Sequence, residues 1–371
     1  MSAVLDGPGQ CDKAPAPAQR AQRDPRLLWW LGAPLLSCCL ALAASQGAYA
    51  IGLADLPRLW ALWWRPADAP FDPELTAAQV FWHIRAPRLL MAALAGSALG
   101  VAGAVMQGLF RNPLADPGLI GVSAGAALGA ACCIVLLPLL GLMPIGFAAG
   151  LSGMGITMLG AFAGGVTVTA LAWRLANTQG QVQLANLLLV GLAINALAMA
   201  GLGLLTYLAN DTQQRALNFW LLGSLAPSQW ATVAAVLAPT VAALVAARWL
   251  MRPLDALALG EAQARAMGVN VKRLQTVCVG MTAVAVGAVT AVIGMVGFIG
   301  LLAPHLVRLL MGPRHGVVLH GAALTGACLV VLADTAARTV AAPVELPLGV
   351  LTGLIGAPVF LYLLRQRGTR P

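Results

Sequence analysis

The chain has 371 residues, of which 60% are hydrophobic and only 9% are charged. Soluble domains carry about 25% charged residues, so a soluble fold of this composition could not cover its surface. The composition therefore excludes a soluble domain and predicts a polytopic membrane protein. The formal net charge of +9 would suit a nucleic-acid-binding protein, but no basic module is present to form such a face, so we expect no nucleic-acid partner.

The N-terminal region divides into a tail, a first helix and a polar segment. Residues 1–26 are rich in Pro, Ala and Gln and predict a disordered cytoplasmic tail. The apolar run 27–50 ends in an Ala-Tyr-Ala sequence that imitates a signal-peptide cleavage site. Because the run exceeds the usual ~7–15 apolar residues of a signal peptide, we favour a retained membrane helix over a cleaved signal. A polar segment follows at about 52–87.

Nine further apolar runs follow, and with the first they predict about ten membrane helices in an all-α fold. The run at 298–311 is short and contains Pro304, which predicts a kink or an irregular turn. The nine runs cover residues 88–110, 118–140, 146–173, 184–208, 230–251, 274–296, 298–311, 317–340 and 346–364.

The positions of arginine and lysine predict the orientation in the membrane. With the N-terminus in the cytoplasm, the outer segments hold six of the 22 Lys and Arg residues, which leaves 22 − 6 = 16 on the inner side. The opposite orientation would reverse that ratio, so both termini are predicted to be cytoplasmic. The six outer residues are Arg58, Arg65, Arg85, Arg88, Arg215 and Arg338.

Two segments indicate weak internal symmetry. The sequence "GAVMQGLFRNPLADPGLIG" follows the second predicted helix, and "GMVGFIGLLAPHLVR" follows the seventh. Each contains a glycine-rich helix end, a turn with proline and the start of a new helix, and the two units run in opposite directions. This pattern is typical of the inverted repeats of transporters.

Small residues at helical spacing predict close packing between membrane helices. The sequence "GVSAG" at 121–125 also matches the nucleophile elbow of hydrolases, which requires a strand, a turn and a helix. Because it opens a membrane helix here, packing is favoured over an intramembrane serine protease with Ser123 as nucleophile and His305 as base. The predicted packing residues are Gly96, Gly100, Gly103, Gly121 and Gly125.

Few polar groups lie in the middle of the predicted helices. Gln107 and Asn195 either line a path or form hydrogen bonds between helices. The histidines are scattered and the cysteines lack zinc-site spacing, so no metal site is predicted. The acidic residues Asp116, Asp334 and Glu345 fall near helix ends. This placement weakens the alternative of an ion-coupled secondary transporter, since that class needs carboxylates at the midplane.

The polar stretch "LALGEAQARAMGVNVKR" interrupts the apolar chain. Pro253 predicts the start of a short helical piece, Gly260 an interruption and Gly268 a C-terminal stop. Glu261 and Arg265 are expected to pair at i,i+4 on two helical turns. The residues alone leave two interpretations open, an amphipathic hairpin on the lipid headgroups or a docking segment for a cytoplasmic protein.

The sequence contains no phosphate-binding P-loop. Its two lysines are Lys13 and Lys272, and neither stands in a Gly-Lys-Ser/Thr sequence. Energy for active transport would therefore come from a partner subunit or from an ion gradient.

Four stretches resemble the permease subunits of bacterial ABC importers for iron–siderophore complexes, haem and vitamin B12. The resemblance covers about residues 27–365 in order, and residues 366–371 would form a short cytoplasmic tail. The four stretches are "RAPRLLMAALAGSALGVAGAVMQGLFRNPLADPGLIGVSAGA" at 85–126, "LALGEAQARAMGV" at 257–269, "GFIGLLAPHLVRLL" at 297–310 and "LLADTAARTVAAPVELPLGVLTGLIGAPVFLYLL" at 331–364.

The resemblance implies the type II importer permease fold, with ten membrane helices and an inverted repeat. It implies a homodimer in the inner membrane with the passage between its two copies, two ATPase subunits that hold ATP and Mg²⁺, and a periplasmic binding protein. The chain itself would bind no cofactor and catalyse no reaction. The cargo would be an iron complex, haem or a ferric siderophore, with vitamin B12 as the alternative.

The resemblance also implies two sites. The outward arginines of the "RAPR" and "ADTAAR" motifs, Arg85, Arg88 and Arg338, would pair with carboxylates of the binding protein, because a guanidinium binds a carboxylate through two parallel hydrogen bonds. The cytoplasmic loop 253–273 would be the coupling segment on which the ATPase subunits act. Its motif positions are Leu259, Gly260, Glu261, Ala264, Arg265, Gly268 and Val269.

Overall fold

A computed structural model describes the protein over residues 25–47, 49, 51–61, 73–142, 153–178 and 181–368. Within these ranges the chain is almost entirely helical, so the predicted all-α fold is confirmed. Seven helices are long and apolar enough to cross a membrane, and three shorter apolar helices bring the total to ten among the described residues. The three shorter helices are Trp30–Ser45, Ile299–Met311 and Leu348–Tyr362.

The first half of the chain contains eight helices and one small strand pair. Single π-helical turns connect α3 to α4 and α5 to α6 without a break, and β1 pairs with β2 in antiparallel fashion. The elements are α1 (Pro25–Ser45), α2 (Leu56–Ala61), α3 (Pro73–Val80), α4 (Ala86–Leu109), α5 (Val122–Ala131), α6 (Leu137–Leu139), α7 (Gly153–Ala176), β1 (Asn177–Thr178), β2 (Gln181–Val182) and α8 (Leu184–Leu208).

The second half contains seven helices. They are α9 (Asp211–Leu222), α10 (Trp230–Ala258), α11 (Glu261–Ala266), α12 (Val271–Ile293), α13 (Ile299–Met311), α14 (His315–Thr339) and α15 (Leu348–Gly368).

Several helix ends differ from those that hydropathy predicts. The second membrane helix begins at Pro73, inside the segment expected to be polar and non-helical. The sixth runs on through Pro253 to Ala258, so this proline does not start a new piece. A proline removes one backbone donor, and neighbouring helices compensate for that loss in membrane helices. Helix α1 begins at Pro25 and overlaps the predicted tail, most of which lies outside the described residues.

Helix α9 has no counterpart among the predicted apolar runs because it is amphipathic and short. Asn210 starts it with a capping box. The Asn210 side chain accepts a hydrogen bond from the Gln213 amide at 2.9 Å, and the Gln213 side chain accepts one from the Asn210 amide at 3.0 Å. Only Leu217 on this helix is fully buried. The helix therefore lies across the end of the bundle with most of one side exposed.

Helix α4 forms the centre of the bundle. In its membrane-crossing segment 78% of the residues are buried, compared with 17% in α7 and 28% in α8. A helix that is apolar all round is stable only when other helices surround it, and α4 lies against α10, α12, α13 and α14. The exposed apolar faces of α7 and α8 require cover by lipid or by another protein.

The predicted packing glycines lie where two helix backbones approach closely. A Cβ atom added to Gly96 would lie 2.1 Å from the Gly326 carbonyl oxygen, and one added to Gly103 would lie 1.8 Å from that of Gly300. These contacts place α4 against α14 and α13 at a distance that no larger residue permits. The equivalent distances are 2.1 Å at Gly100, 2.6 Å at Gly125, and 2.8 Å to a side chain at Gly121.

Candidate functional site

A turn, a short helix and a second turn join α10 to α12, and all the predicted coupling residues lie in this segment. Gly260 adopts a φ of +117° before α11, and Gly268 ends α11 at a φ of +82°. The Val269 amide donates to the Ala264 carbonyl at 2.9 Å, and the Gly268 amide donates to the Arg265 carbonyl at 3.0 Å. This Schellman arrangement gives the short helix a defined end.

The coupling segment has a buried base and an exposed tip. Ala264 and Leu257 have no exposed surface and fasten the segment to the bundle. In contrast, Leu259 is 65% exposed and Met267 is 64% exposed. Two large apolar side chains that are open to solvent within one short segment favour a covering partner, which can be a protein or the membrane surface.

The expected ion pair is present on α11. The Arg265 Nη2 atom lies 3.1 Å from the Glu261 Oε2 atom, and both side chains are largely open to solvent. An exposed pair of this kind contributes about 0–1 kcal/mol. It therefore orders the surface of the helix more than it stabilises the fold.

Helix α14 is fastened to α10 immediately before the coupling segment. The Asp255 carboxylate accepts the His315 backbone amide at 2.9 Å and lies 2.7 Å from the His315 ring Nδ1 atom. The last turn of α4 packs on the same ring, because a Cβ added to Gly108 would lie 2.6 Å from its Nε2 atom. This contact joins three helices, and the sequence did not reveal it because 60 residues separate its two partners.

A cluster of charged residues lies at the other end of α14. The Asp334 carboxylate accepts Arg88 at 2.9 Å and Arg338 at 3.0 Å, and its side chain is only 2% exposed. Arg88 also donates to both oxygens of Glu345 at 2.9 Å, and the Glu345 side chain is 45% exposed. The sequence placed both acids near helix ends but did not identify their arginine partners, although Asp334 and Arg338 have i,i+4 spacing.

The third predicted arginine, Arg85, is buried and holds the end of α1. Its guanidinium donates to the Ala44 and Tyr49 carbonyls, and Arg338 donates to two further carbonyls there at 3.1 and 3.3 Å. Helix α1 has no basic residue in its last turn. The two arginines therefore satisfy carbonyl groups, and complement a negative helix end, from outside the helix.

The three arginines thus lie together, as the predicted orientation required, on the side opposite the coupling segment. His315 and Arg338 are 23 residues apart on one helix, which corresponds to about 35 Å. This length exceeds the ~30 Å of a bilayer core. The docking role of Arg85, Arg88 and Arg338 stays a prediction, and their contacts within the chain give them a structural role as well.

The two predicted midplane polar residues form hydrogen bonds between elements. Gln107 donates to the Leu301 carbonyl at 3.3 Å, and Asn195 donates to the Gly118 carbonyl at 3.1 Å. Of the two open alternatives, these contacts match the interhelical hydrogen bond. Ser123 lies in the first turn of a helix with no preceding strand, so the hydrolase elbow is absent from this part of the chain.

A solved structure shares this architecture. A metal-chelate type ABC transporter in an inward-facing conformation superposes with a TM-score of 0.76 at 29% sequence identity, covering 92% of this chain and 100% of that one. The ten apolar helices and the two opposed sites described above therefore define the class of protein, which is the membrane-spanning permease of an ABC importer.

The FecCD transport family matches residues 35–366, and the chain belongs to this family. The Hemin transport system permease protein HmuU of Yersinia pestis is 45% identical over 298 residues, 78% of this chain and 85% of that protein. The Cobalamin import system permease protein BtuC of Halobacterium salinarum is 39% identical over 306 residues, 82% of this chain and 78% of that protein. The Vitamin B12 import system permease protein BtuC of Escherichia coli O127:H6 is 38% identical over 311 residues, covering 83% and 89%. As a transport permease of the bacterial inner membrane, the chain is not itself an enzyme.

Proposed function

We propose that two copies of this chain form the passage for an iron complex, with haem as the first candidate and a ferric siderophore as the second. The observation that supports haem is the 45% identity with the hemin permease, compared with 39% and 38% for the cobalamin and vitamin B12 permeases. Cobalamin is the alternative cargo, because the relatives that import it have the same scaffold.

An uptake assay distinguishes these cargoes. The chain is expressed with its ATPase and binding-protein partners in cells that lack their own uptake systems for all three compounds. We expect radiolabelled haem to accumulate in an ATP-dependent manner. Accumulation of labelled cobalamin without haem would select the alternative, and accumulation of neither haem nor a ferric siderophore by an assembled complex would contradict the proposal.

The coupling segment receives the motion of two ATPase subunits, which bind ATP and Mg²⁺ on the cytoplasmic side. Its exposed Leu259 and Met267 support this role, since they form an apolar contact surface beside a helix with a defined end. When ATP closes the ATPase pair, α11 moves with it, and the contact between Asp255 and His315 passes the displacement to α14. The two copies then rock about their common axis, and the passage opens to alternate sides.

Two substitutions at the tip test the coupling role without disturbing the core. Burial of a large apolar side chain contributes about 1.5–3 kcal/mol, so Leu259→Ser with Met267→Ser should weaken copurification of the ATPase subunit by at least about tenfold. The matched control is Val340→Ser, because Val340 is 72% exposed at the opposite end of α14. Normal copurification and transport by the double variant would rule out this segment as the contact.

The arginine cluster lies at the periplasmic end, where a binding protein presents carboxylates to it. Three arginines and the two acids Asp334 and Glu345 give the cluster a formal charge of 3 − 2 = +1. This arrangement requires both termini of the chain to be cytoplasmic, as the distribution of arginine and lysine predicts.

The exposed Glu345 offers a test that leaves the buried arginines in place. Glu345→Gln raises the positive charge of the cluster, so we expect the binding protein to associate about two- to fivefold faster at low salt, and this gain to disappear at high salt. Glu261→Gln, on the opposite side of the membrane, is the control and should have no effect. An unchanged or slower association for Glu345→Gln would contradict the docking site.

A further inference from the structure

A groove beside the coupling segment has no assigned role. It lies between α11, the first turns of α8 and α12, and the loop after α4, and its volume is about 570 Å³. This volume falls within the ~300–1,000 Å³ typical of small-molecule sites. The lining residues are Arg111, Gln183, Leu184, Ala185, Glu261, Arg265, Val269, Asn270, Val271, Lys272 and Gln275.

The groove is positively charged. Arg111, Arg265 and Lys272 line it together with a single carboxylate, Glu261, which gives a formal charge of 3 − 1 = +2. Lys272 stands in the first turn of α12, where the helix dipole adds positive potential. Arg111 adopts a left-handed φ of +50°, a region that non-glycine residues rarely occupy. The groove is therefore suited to an anion.

A buried amide at the floor of the groove also indicates a ligand. Gln275 is only 3% exposed and lines the groove one turn into α12. Among the described residues, its side chain has no hydrogen-bond partner. A buried polar group without a partner costs about 1–3 kcal/mol, and an oxygen atom of a ligand in the groove would remove that cost by accepting the Gln275 NH₂ group.

The position of the groove indicates where the anion comes from. The apolar helices α8 and α12 begin at Leu184 and Val271, and both residues line the groove. The groove is therefore at the level of the lipid headgroups, and basic pockets between membrane helices at that level bind anionic headgroups. Its wall combines cations with the apolar side chains of Leu184, Val269 and Val271, which suits a phosphate group attached to a glycerol backbone.

We propose that this groove binds a phosphate group, supplied by the headgroup of an anionic phospholipid, with Arg111 and Lys272 as the cationic contacts and Gln275 as the buried donor. This inference goes beyond the transport function and does not depend on which cargo the permease moves. Free inorganic phosphate has the same chemistry, and the two sources are separated by the experiment below.

The first arm of the experiment uses the full-length permease, delipidated in detergent and titrated with phosphatidylglycerol or phosphatidylcholine while native mass spectrometry counts the bound lipids. Each cation near an anionic headgroup contributes about 1 kcal/mol, or about fivefold. Arg111→Gln with Lys272→Gln should therefore weaken binding of one phosphatidylglycerol by about 25-fold. Gln275→Met, which keeps the side-chain size, should weaken it several-fold.

The control is Arg273→Gln, which removes the neighbouring exposed cation outside the groove and should change the affinity by less than about twofold. Equal affinities of the groove variants and the wild type would overturn the proposal, as would equal binding of phosphatidylcholine. If Gln275→Met also unfolds the chain, the Arg111 and Lys272 variant decides the outcome, since both side chains are exposed.

The second arm titrates inorganic phosphate into the same proteins by calorimetry. Phosphate binding that depends on Arg111 and Lys272 would support a phosphate site but replace the lipid by a free anion. An anion effect seen only with the ATPase subunit present would overturn the proposal, because the ligand would then be a side chain of that subunit.

Discussion

Replacing Asp334 with asparagine should expose how much the arginine cluster contributes to the fold. The Asp334 carboxylate is 2% exposed and lies between the guanidinium groups of Arg88 and Arg338, whose side chains are 11% and 9% exposed. The asparagine side chain would keep the shape and one acceptor oxygen but lose the negative charge. The local charge of the three arginines and two acids would rise from +1 to +2 in a nearly buried site.

The magnitude follows from the contacts that remain. Breaking a buried ion pair costs about 3–5 kcal/mol, and the lower end applies here because Arg88 keeps Glu345 and Arg338 keeps two backbone carbonyls. With an unfolding entropy of about 2 cal/mol/K per residue, a chain of this length loses about 1.3 °C for each kcal/mol. We therefore expect Asp334→Asn to lower the melting temperature in detergent by about 4 °C.

Glu345→Gln is the matched control, since it removes the other carboxylate from the same arginine. The Glu345 side chain is 45% exposed, and exposed ion pairs contribute about 0–1 kcal/mol, so the melting temperature should fall by about 1 °C or less. The assay is thermal unfolding of the purified full-length chain followed by size-exclusion chromatography. Equal shifts for the two variants, or no shift for Asp334→Asn, would refute the reasoning from burial.

Three further predictions concern packing, the joint beside the coupling segment and pH. Gly103→Ala puts a Cβ atom 1.8 Å from a carbonyl of α13, so thermal unfolding should show a loss of about 1–3 kcal/mol or more, whereas Gly353→Ala, with no atom within 4 Å, should be neutral. Asp255→Asn removes a charge-assisted contact worth about 1 kcal/mol, so hydrogen exchange at the His315 amide should quicken by about fivefold; unchanged exchange would argue against the joint. Burial raises the pKa of the Asp116 carboxyl, so the native state holds this proton at higher pH than the unfolded chain does. Stability of the wild type then falls as pH rises from the ordinary value near about 4 through the raised pKa, and the melting temperature of Asp116→Asn should exceed that of the wild type at pH 7 but not near pH 4.

Local rules were sufficient for the helices and for the contacts within one element. The run predicted at 184–208 coincides with α8, and the predicted ion pair of α11 is present at 3.1 Å. Hydropathy and i,i+4 spacing depend only on residues that are close in sequence, so one sequence is enough to read them. The amphipathic α9 was missed for the same reason, because its low hydrophobicity resembles that of a loop.

The residue pairs that join the helices could be found only in the tertiary structure. Arg88 and Asp334 are 246 residues apart, and Asp255 and His315 are 60 residues apart. The groove around Gln275 likewise depends on segments that are distant in sequence. Hydropathy reports the transfer free energy of each segment into lipid, which decides that the segments cross the membrane. Which helices then lie side by side depends on backbone approach at glycines such as Gly96 and Gly103, and only that arrangement decides which buried charges meet a partner.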